Sequence, residues 1–284
     1  MVCDTTAYLP KEVAESHGIH LISLYVVVDG VQQKESEITD YEDFFARLRA
    51  ADQKPTTSQP SVGDFVDVYG PLLDEGREIA SIHISGGISG TVEAAEQARQ
   101  RMIDEGRGGE RIHVFDSRTA AGGQALCELA AAKAALAGAG ASDVVASAAR
   151  CRESLKMWFA VDTLEYLRIG GRIGLASAWI GSTLRIKPIL TLEEQITPVE
   201  RVRTRSRAIQ RLQDYAGRRH ESGADAWVVQ HIQDSEAAEQ LAAECREIFG
   251  RREIFISEIG PVLGAHVGPG LLGVGSVPIE AIGE

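Results

Sequence analysis

The chain has 284 residues, 44% hydrophobic and 25% charged, the composition of an ordinary globular protein rather than a disordered or membrane-embedded one. Its length suits two domains, each long enough to bury a core of its own. A net charge of −12 repels polyanions and argues against nucleic acid, or anionic lipid, as the main partner, although a local basic patch could override it.

Asp4 arrives almost at once, with no basic stretch ahead of an apolar run, so the N-terminus does not read as a secretory signal. The longest apolar run, Leu21 to Val28, is far too short to cross a bilayer. Apolar runs predict strands at Ile22–Val28, Ile79–Ile84 and Ile112–Phe115. Helices are predicted over Tyr41–Ala50, Gly63–Glu75, Thr91–Glu105 and Gly122–Leu136. Short strands alternating with longer amphipathic stretches imply a parallel sheet joined by crossover helices.

The flexible segment 137–142 places a domain boundary near residue 150. Beyond it, strands are predicted at Trp158–Val161, Lys187–Thr191, Val199–Thr204, Ala226–Gln230 and Arg252–Ile259, with helices at Ser206–Ser222 and Glu236–Phe249. That pattern reads as an α/β sandwich. Cys3, Cys127, Cys151 and Cys245 are scattered without metal-site spacing, so we expect no metal, buried free thiols and a reducing cytoplasm.

Five polar loops stand near predicted strand ends, where open α/β sheets place ligands. They are Asp4-Thr5-Thr6, the run 56–61, the run 85–91, Asp116-Ser117 and the run 264–270. Residues 85–91 lie between a strand and a helix, so either their free amides meet an anion at the helix N-terminus or Ser89 and Thr91 cap the helix. No Walker lysine or Gly-x-Gly-x-x-Gly is present, which sets a nucleotide aside. A serine hydrolase built on Ser89, His266 and Asp116 is the enzymatic alternative, but Thr91 occupies the last glycine position of the nucleophile elbow.

His266 sits in a glycine-rich loop, either as a donor to an acidic ligand or as a surface residue, and Gly268, Gly270, Gly273 and Gly275 read as turn glycines. A short helix starting at Asp162 and ending at Gly170-Gly171 would hold Arg172 on a corner, facing a partner or bonding the last carbonyls. Residues 201–219 carry seven Arg and one Asp, a net +6. Alternation puts Arg201, Arg203 and Arg205 on one strand face, and Arg207 and Arg211 one helical turn apart. The run is either a docking surface or a solvated face balanced by acids.

These motifs, in this order, resemble the DegV family over essentially the whole chain. They are Asp4-Thr5 with Leu9-Pro10, Thr57-Ser58-Gln59-Pro60-Ser61, Ile88-Ser89-Gly90-Thr91, Leu164-Glu165-Tyr166-Leu167 through Gly170-Gly171-Arg172-Ile173, and Gly264-Ala265-His266 with Gly268-Pro269-Gly270. The resemblance implies a two-domain α/β protein, with an N-terminal three-layer α/β/α unit (1–150) around a mainly parallel sheet and a C-terminal α/β sandwich (151–284). It further implies one long-chain fatty acid enclosed between them, presented by a non-enzymatic carrier to a separate ATP-dependent fatty acid kinase that makes an acyl phosphate. No cofactor is implied, and transient contact with a membrane surface is compatible with the role.

By motif position Thr57 and Ser89 contact the carboxylate and His266 supports them. Ser58, Gly90, Thr91, Asp116 and Ser117 complete the implied ligand set, and Arg172, Arg203 and Arg205 are the implied kinase-docking residues. The chain departs from the family pattern at Thr5, where Ser is common, at Tyr8, where an acid is common, and at Gly86, where a second Ser often stands. A third reading keeps the pocket but gives it a purely structural or regulatory lipid.

Overall fold

The structure, a computed structural model, describes residues 1–28, 30–50, 55–180 and 186–283. The chain opens with β1 (Val2–Asp4), α1 (Lys11–Ser16) and β2 (His20–Ile22), followed by β3 (Tyr25–Val28), β4 (Val31–Lys34), α2 (Tyr41–Ala50) and β5 (Thr56–Ser58). Next come α3 (Val62–Asp74), β6 (Ile79–His83), α4 (Thr91–Asp104), β7 (Ile112–Asp116), α5 (Ala121–Leu136) and α6 (Ala141–Ser154). The rest comprises β8 (Lys156–Ala160), α7 (Glu165–Ile169), β9 (Lys187–Glu193), β10 (Gln195–Val202), α8 (Arg205–Glu221), β11 (Ala226–His231), α9 (Ser235–Phe249), β12 (Ile256–Glu258), α10 (Pro261–Val267) and β13 (Leu272–Val277).

The first sheet, in the order β2-β1-β6-β7, is parallel throughout. On one face α3 and α4 bury Phe65, Tyr69, Ala95 and Met102 against Val2, Ile79 and Ile112. On the other, α5 and α6 bury Leu126, Ala130, Val144 and Ala148 against Cys3, Ala80 and Ile82. Three layers follow, as expected for strands apolar on both faces. Ser61 starts α3 with a reciprocal capping box to Asp64, which satisfies two of the helix's orphan amides.

A second sheet of six strands runs β10-β9-β8-β13-β11-β12, antiparallel except for β11 with β12. Its outer face is covered by α8 and α9, where Trp227, Val229 and Leu272 meet Leu212, Tyr215, Leu241 and Phe249. A small antiparallel sheet, β4-β3-β5, joins α2 and α10 around Phe44, Phe45 and Leu48. α6 passes residue 150 unbroken, and the chain changes sheets at Leu155.

Several expectations are corrected. The run Ile22–Val28 is two strands in two sheets, parted at Ser23-Leu24. Gly273 and Gly275 are not turn glycines, since β13 pairs on both sides inside the second sheet. The late loop around His266 is the helix α10, ended at Gly268 with φ +79. Arg201, Arg203 and Arg205 do not share a strand face, because β10 ends at Val202 and Arg205 opens α8 behind the N-cap Thr204. The helix before Arg172 starts at Glu165, while Asp162 pairs instead with Lys187 at 2.6 Å.

Each half holds a hydrophobic cluster of its own, and other clusters are shared between them. α5 is buried at every residue from Ala121 to Ala132, and its hydrophobic cluster includes Ala226, Val228 and Val277 of the second sheet.

Candidate functional site

Between the two sheets and the small one lies a cavity whose open space, mouth included, is about 1010 Å³. Its walls are chiefly aliphatic, and Leu24, Ile84, Leu192, Ile196, Ile259 and Val262 are typical. The floor is the inner face of β8, β13 and β11. Phe159, Gly273 and Gln230 form one row across it, and Met157, Gly275 and Val228 the next. Residues two apart on a strand share a face, so the two glycines leave bare backbone where side chains would fill the space.

Polar groups gather at one end. Thr57 on β5 and His266 in the last turn of α10 are joined by a 2.6 Å hydrogen bond between Oγ1 and Nε2. Ser89 stands just before α4, its hydroxyl 2.8 Å from that of Thr91. Ser58 and Gln59 line the same wall. Arg172, at the corner after α7, bonds the carbonyls of Ile88 (3.2 Å) and Gly170 (2.7 Å), so it ties that corner to the Ser89 loop. β13 begins five residues after α10 ends, so rising residue numbers along it lead away from this polar end.

Burial, with the Arg172 guanidinium nearby, pushes His266 down to about 4, so its ring is neutral at pH 7. Its Nδ1 is buried without a partner among the described residues. Gly170 is required beside it, because a Cβ there would lie 2.3 Å from Nδ1. Gly90 likewise gives way to the Gln59 amide, 2.9 Å from where its Cβ would be.

The loop before α4 is built differently from the expectation of free amides. Gly86 N–H donates to the Asp116 carboxylate, Gly87 N–H to Ser85 Oγ, and Ile88 and Ser89 N–H to the Ser85 carbonyl. Gly87 packs against the β9–β10 turn, where a Cβ would come within 2.3 Å of the Glu194 carbonyl oxygen, and Ser85 Oγ donates to that oxygen. What the loop offers the cavity is therefore chiefly the Ser89 hydroxyl.

Of the sequence-derived ligand set, Thr57, Ser58, Ser89 and His266 line the cavity. Gly90, Thr91, Asp116 and Ser117 stand behind it. Thr91 is fully buried and positions Ser89, Asp116 holds the loop through Gly86 and the turn through Arg118 N–H, and Ser117 Oγ bonds the Thr119 carbonyl. Ser89, His266 and Asp116 are not linked to one another by hydrogen bonds, so no hydrolase triad is assembled.

Asp4 and Thr6 serve a separate buried network with His83 and Gln124. There burial alone would raise the Asp4 carboxyl, but bonds from His83, Thr6 and Ile84 N–H hold it below its ordinary value. Thr5 and Tyr8 donate to the buried Glu35, which also receives Val262 N–H at the start of α10.

Of the docking candidates, Arg172 lines the cavity, and Arg203 is exposed without a hydrogen-bond or ion-pair partner among the described residues. Arg205 is occupied by Asp234 and the Gly270 carbonyl. Much of the rest of the run is balanced locally. Arg211 pairs with Glu200 and Asp214, and Arg219 bonds Ser276 and the Ser154 carbonyl. Gln230, Gly122, Gly273 and Gly275 escaped the sequence reading, although glycines two apart in Leu272-Gly-Val-Gly-Ser-Val277 signal a strand with one bare face.

Among the described residues no helix is long and apolar enough to cross a membrane, and no cluster of His, Cys, Asp or Glu could hold a metal ion. The model of the DegV family of uncharacterised proteins matches residues 1–278. A DegV domain-containing protein of Streptomyces coelicolor is 38% identical over 279 residues, 96% of either chain. The DegV protein of Bacillus subtilis is 34% identical over 277 residues, 96% of this chain and 97% of its own.

Among solved structures, a DegV family protein from Thermus thermophilus, described for its fatty acid binding, superposes with a TM-score of 0.88 at 32% identity, covering 98% of each chain. Bacillus subtilis DegV, described as a fatty acid binding protein, gives 0.85 at 32% identity, covering 97% of this chain and 98% of that one.

Proposed function

This chain belongs to the DegV family, and from that premise we propose that it carries one long-chain fatty acid in the cavity, with the carboxyl group at Thr57, Ser89 and His266. The observation that carries the reading is the division of the cavity into an aliphatic part and one polar end built from hydroxyls and a neutral imidazole, with the Arg172 guanidinium beside them.

A tail of roughly fourteen methylenes gains on the order of 11 kcal/mol gross on burial, so the chain supplies the affinity and association costs offset part of it. Hydroxyl donors satisfy the carboxylate without locking it to a cation, which suits a head group that must later accept a phosphoryl group. The halves 1–150 and 151–284 enclose the acid, with Ser58, Gly90, Thr91, Asp116 and Ser117 shaping its polar end.

We take the protein to be a non-catalytic carrier in the cytoplasm that presents the acid to a separate ATP-dependent kinase. Arg172 at the mouth and Arg203, exposed and unpaired among the described residues, would face that kinase, while Arg205 supports the corner behind them. No cofactor is needed for holding or presenting the acid.

Solvent extraction of the purified protein, followed by mass spectrometry, tests the reading. We expect close to one mole of fatty acid per mole of chain. An empty extract together with no uptake of added acid would overturn it.

A further inference from the structure

Gln230 lines the cavity from β11 and is only 4% exposed. Its Nε2 donates to the Ala7 carbonyl at 3.2 Å and to Ser257 Oγ at 2.8 Å. A carbonyl oxygen can only accept, so the nitrogen must face Ala7 and the amide oxygen must face the other way. That way leads to Gly122, another lining residue, where Oε1 lies 3.1 Å from the position a Cβ would take. Among the described residues no protein donor reaches this oxygen.

Its neighbours on the wall are Val228, Gly122, Gly273 and Gly275, none of which has a polar side chain. The sequence thus sets a strong acceptor, fixed in orientation by two bonds behind it, into an otherwise aliphatic stretch. Gly122 leaves that acceptor uncovered. An amide oxygen fixed in this way and open to the cavity favours a ligand that brings a donor to it.

Resting on the fatty-acid reading above, we propose that the preferred ligand is a hydroxy fatty acid whose chain hydroxyl donates to Gln230 Oε1. The group belongs on the chain and not at the head, because Gln230 sits in the floor row with Gly273 and Phe159, beyond the Thr57–His266 end. Chemistry selects the class. A keto oxygen or an epoxide only accepts, and a double bond offers no polar hydrogen, so none of these can pair with an acceptor. One added hydrogen bond to an acceptor that faces the cavity corresponds to a preference of about tenfold.

The test is competition on delipidated wild-type protein, with stearic acid set against a positional series of hydroxystearic acids and the matching ketostearic acids. The acids retained are measured by mass spectrometry. At least one hydroxy isomer should displace stearic acid by about tenfold, its keto counterpart should not, and Gln230→Leu should abolish the advantage.

Stearic acid retained as well as or better than every hydroxy isomer, or equal retention of hydroxy and keto forms, would overturn the inference and leave the fatty-acid reading standing. Retention of none of the acids would overturn both. The wild-type comparison stands even where the leucine variant folds poorly.

Discussion

Replacing Gly275 with valine should shorten the acyl chain that the protein keeps. Gly275 lies in the second floor row, deeper than Gly273 along β13, and a Cβ there would meet Met157 Cβ at 3.5 Å and Val228 Cγ2 at 3.7 Å, ordinary contact distances. The backbone needs no positive φ at this position, and a β-branched residue suits a central strand, so the fold should accept the change. Gly273 would be less forgiving, with Phe159 Cβ at 3.0 Å.

The isopropyl group occupies the room of about three methylenes, worth about 2.4 kcal/mol at ~0.8 kcal/mol each, or roughly fiftyfold in affinity for an acid that fills the cavity. An acid about three carbons shorter should bind almost as before. Delipidated wild type and variant are each offered an equimolar ladder of saturated acids, and the retained distribution is read by mass spectrometry. An unchanged distribution in a folded variant would refute the placement of the tail over the glycine floor.

The neutral His266 makes stability fall in acid. With its folded value near 4 against an ordinary 6.5, the unfolded chain takes up a proton that the folded chain refuses, so stability is lost as pH falls through that window. The loss is about 3 kcal/mol at most, measurable as a urea midpoint shift between pH 7 and pH 4 that is smaller in His266→Gln. Arg205→Ala strands the part-buried Asp234 and should cost about 1–3 kcal/mol in denaturant titration, whereas Arg203→Ala should change stability by no more than about 0.5 kcal/mol. Kinase capture in a pull-down should fall with Arg203→Ala. Glu35→Ala removes the acceptor of Thr5, Tyr8 and Val262 N–H, costing about 2–3 kcal/mol and hastening acid release as α10 loosens, while Glu35→Gln keeps most of both.

The long helices were legible because their apolar faces repeat at helical spacing, and α2 to α5, α8 and α9 lie within a residue of where that spacing puts them. Strands that lack such a signal were not. β1 and β5 have three residues each, β4 reads Val-Gln-Gln-Lys with every residue exposed, and β13 alternates glycine with apolar residues, a spacing that fits a strand with one bare face but whose glycines also serve turns.

α10 was hidden because Gly264 is needed for packing, its absent Cβ leaving room for Phe45, and not for a bend. At the site, the polar residues of the cavity came from motifs, but the supporting roles of Asp116 and Thr91 depend on hydrogen bonds between distant segments. Arg205 could not be told from Arg203 by charge alone, since what separates them is Asp234, 29 residues away.

The burial of α5 on all sides carries a thermodynamic consequence. A helix that serves both sheets as inner layer couples their melting, so the two halves should come apart in one cooperative event. A molecule lodged in the cavity then raises the unfolding free energy of the entire chain by RT ln(1 + [L]/Kd), about 2.7 kcal/mol when free ligand is a hundredfold above Kd. Loaded and empty protein would differ in lifetime, and a cell that ran short of the ligand would find the protein easier to unfold and to degrade.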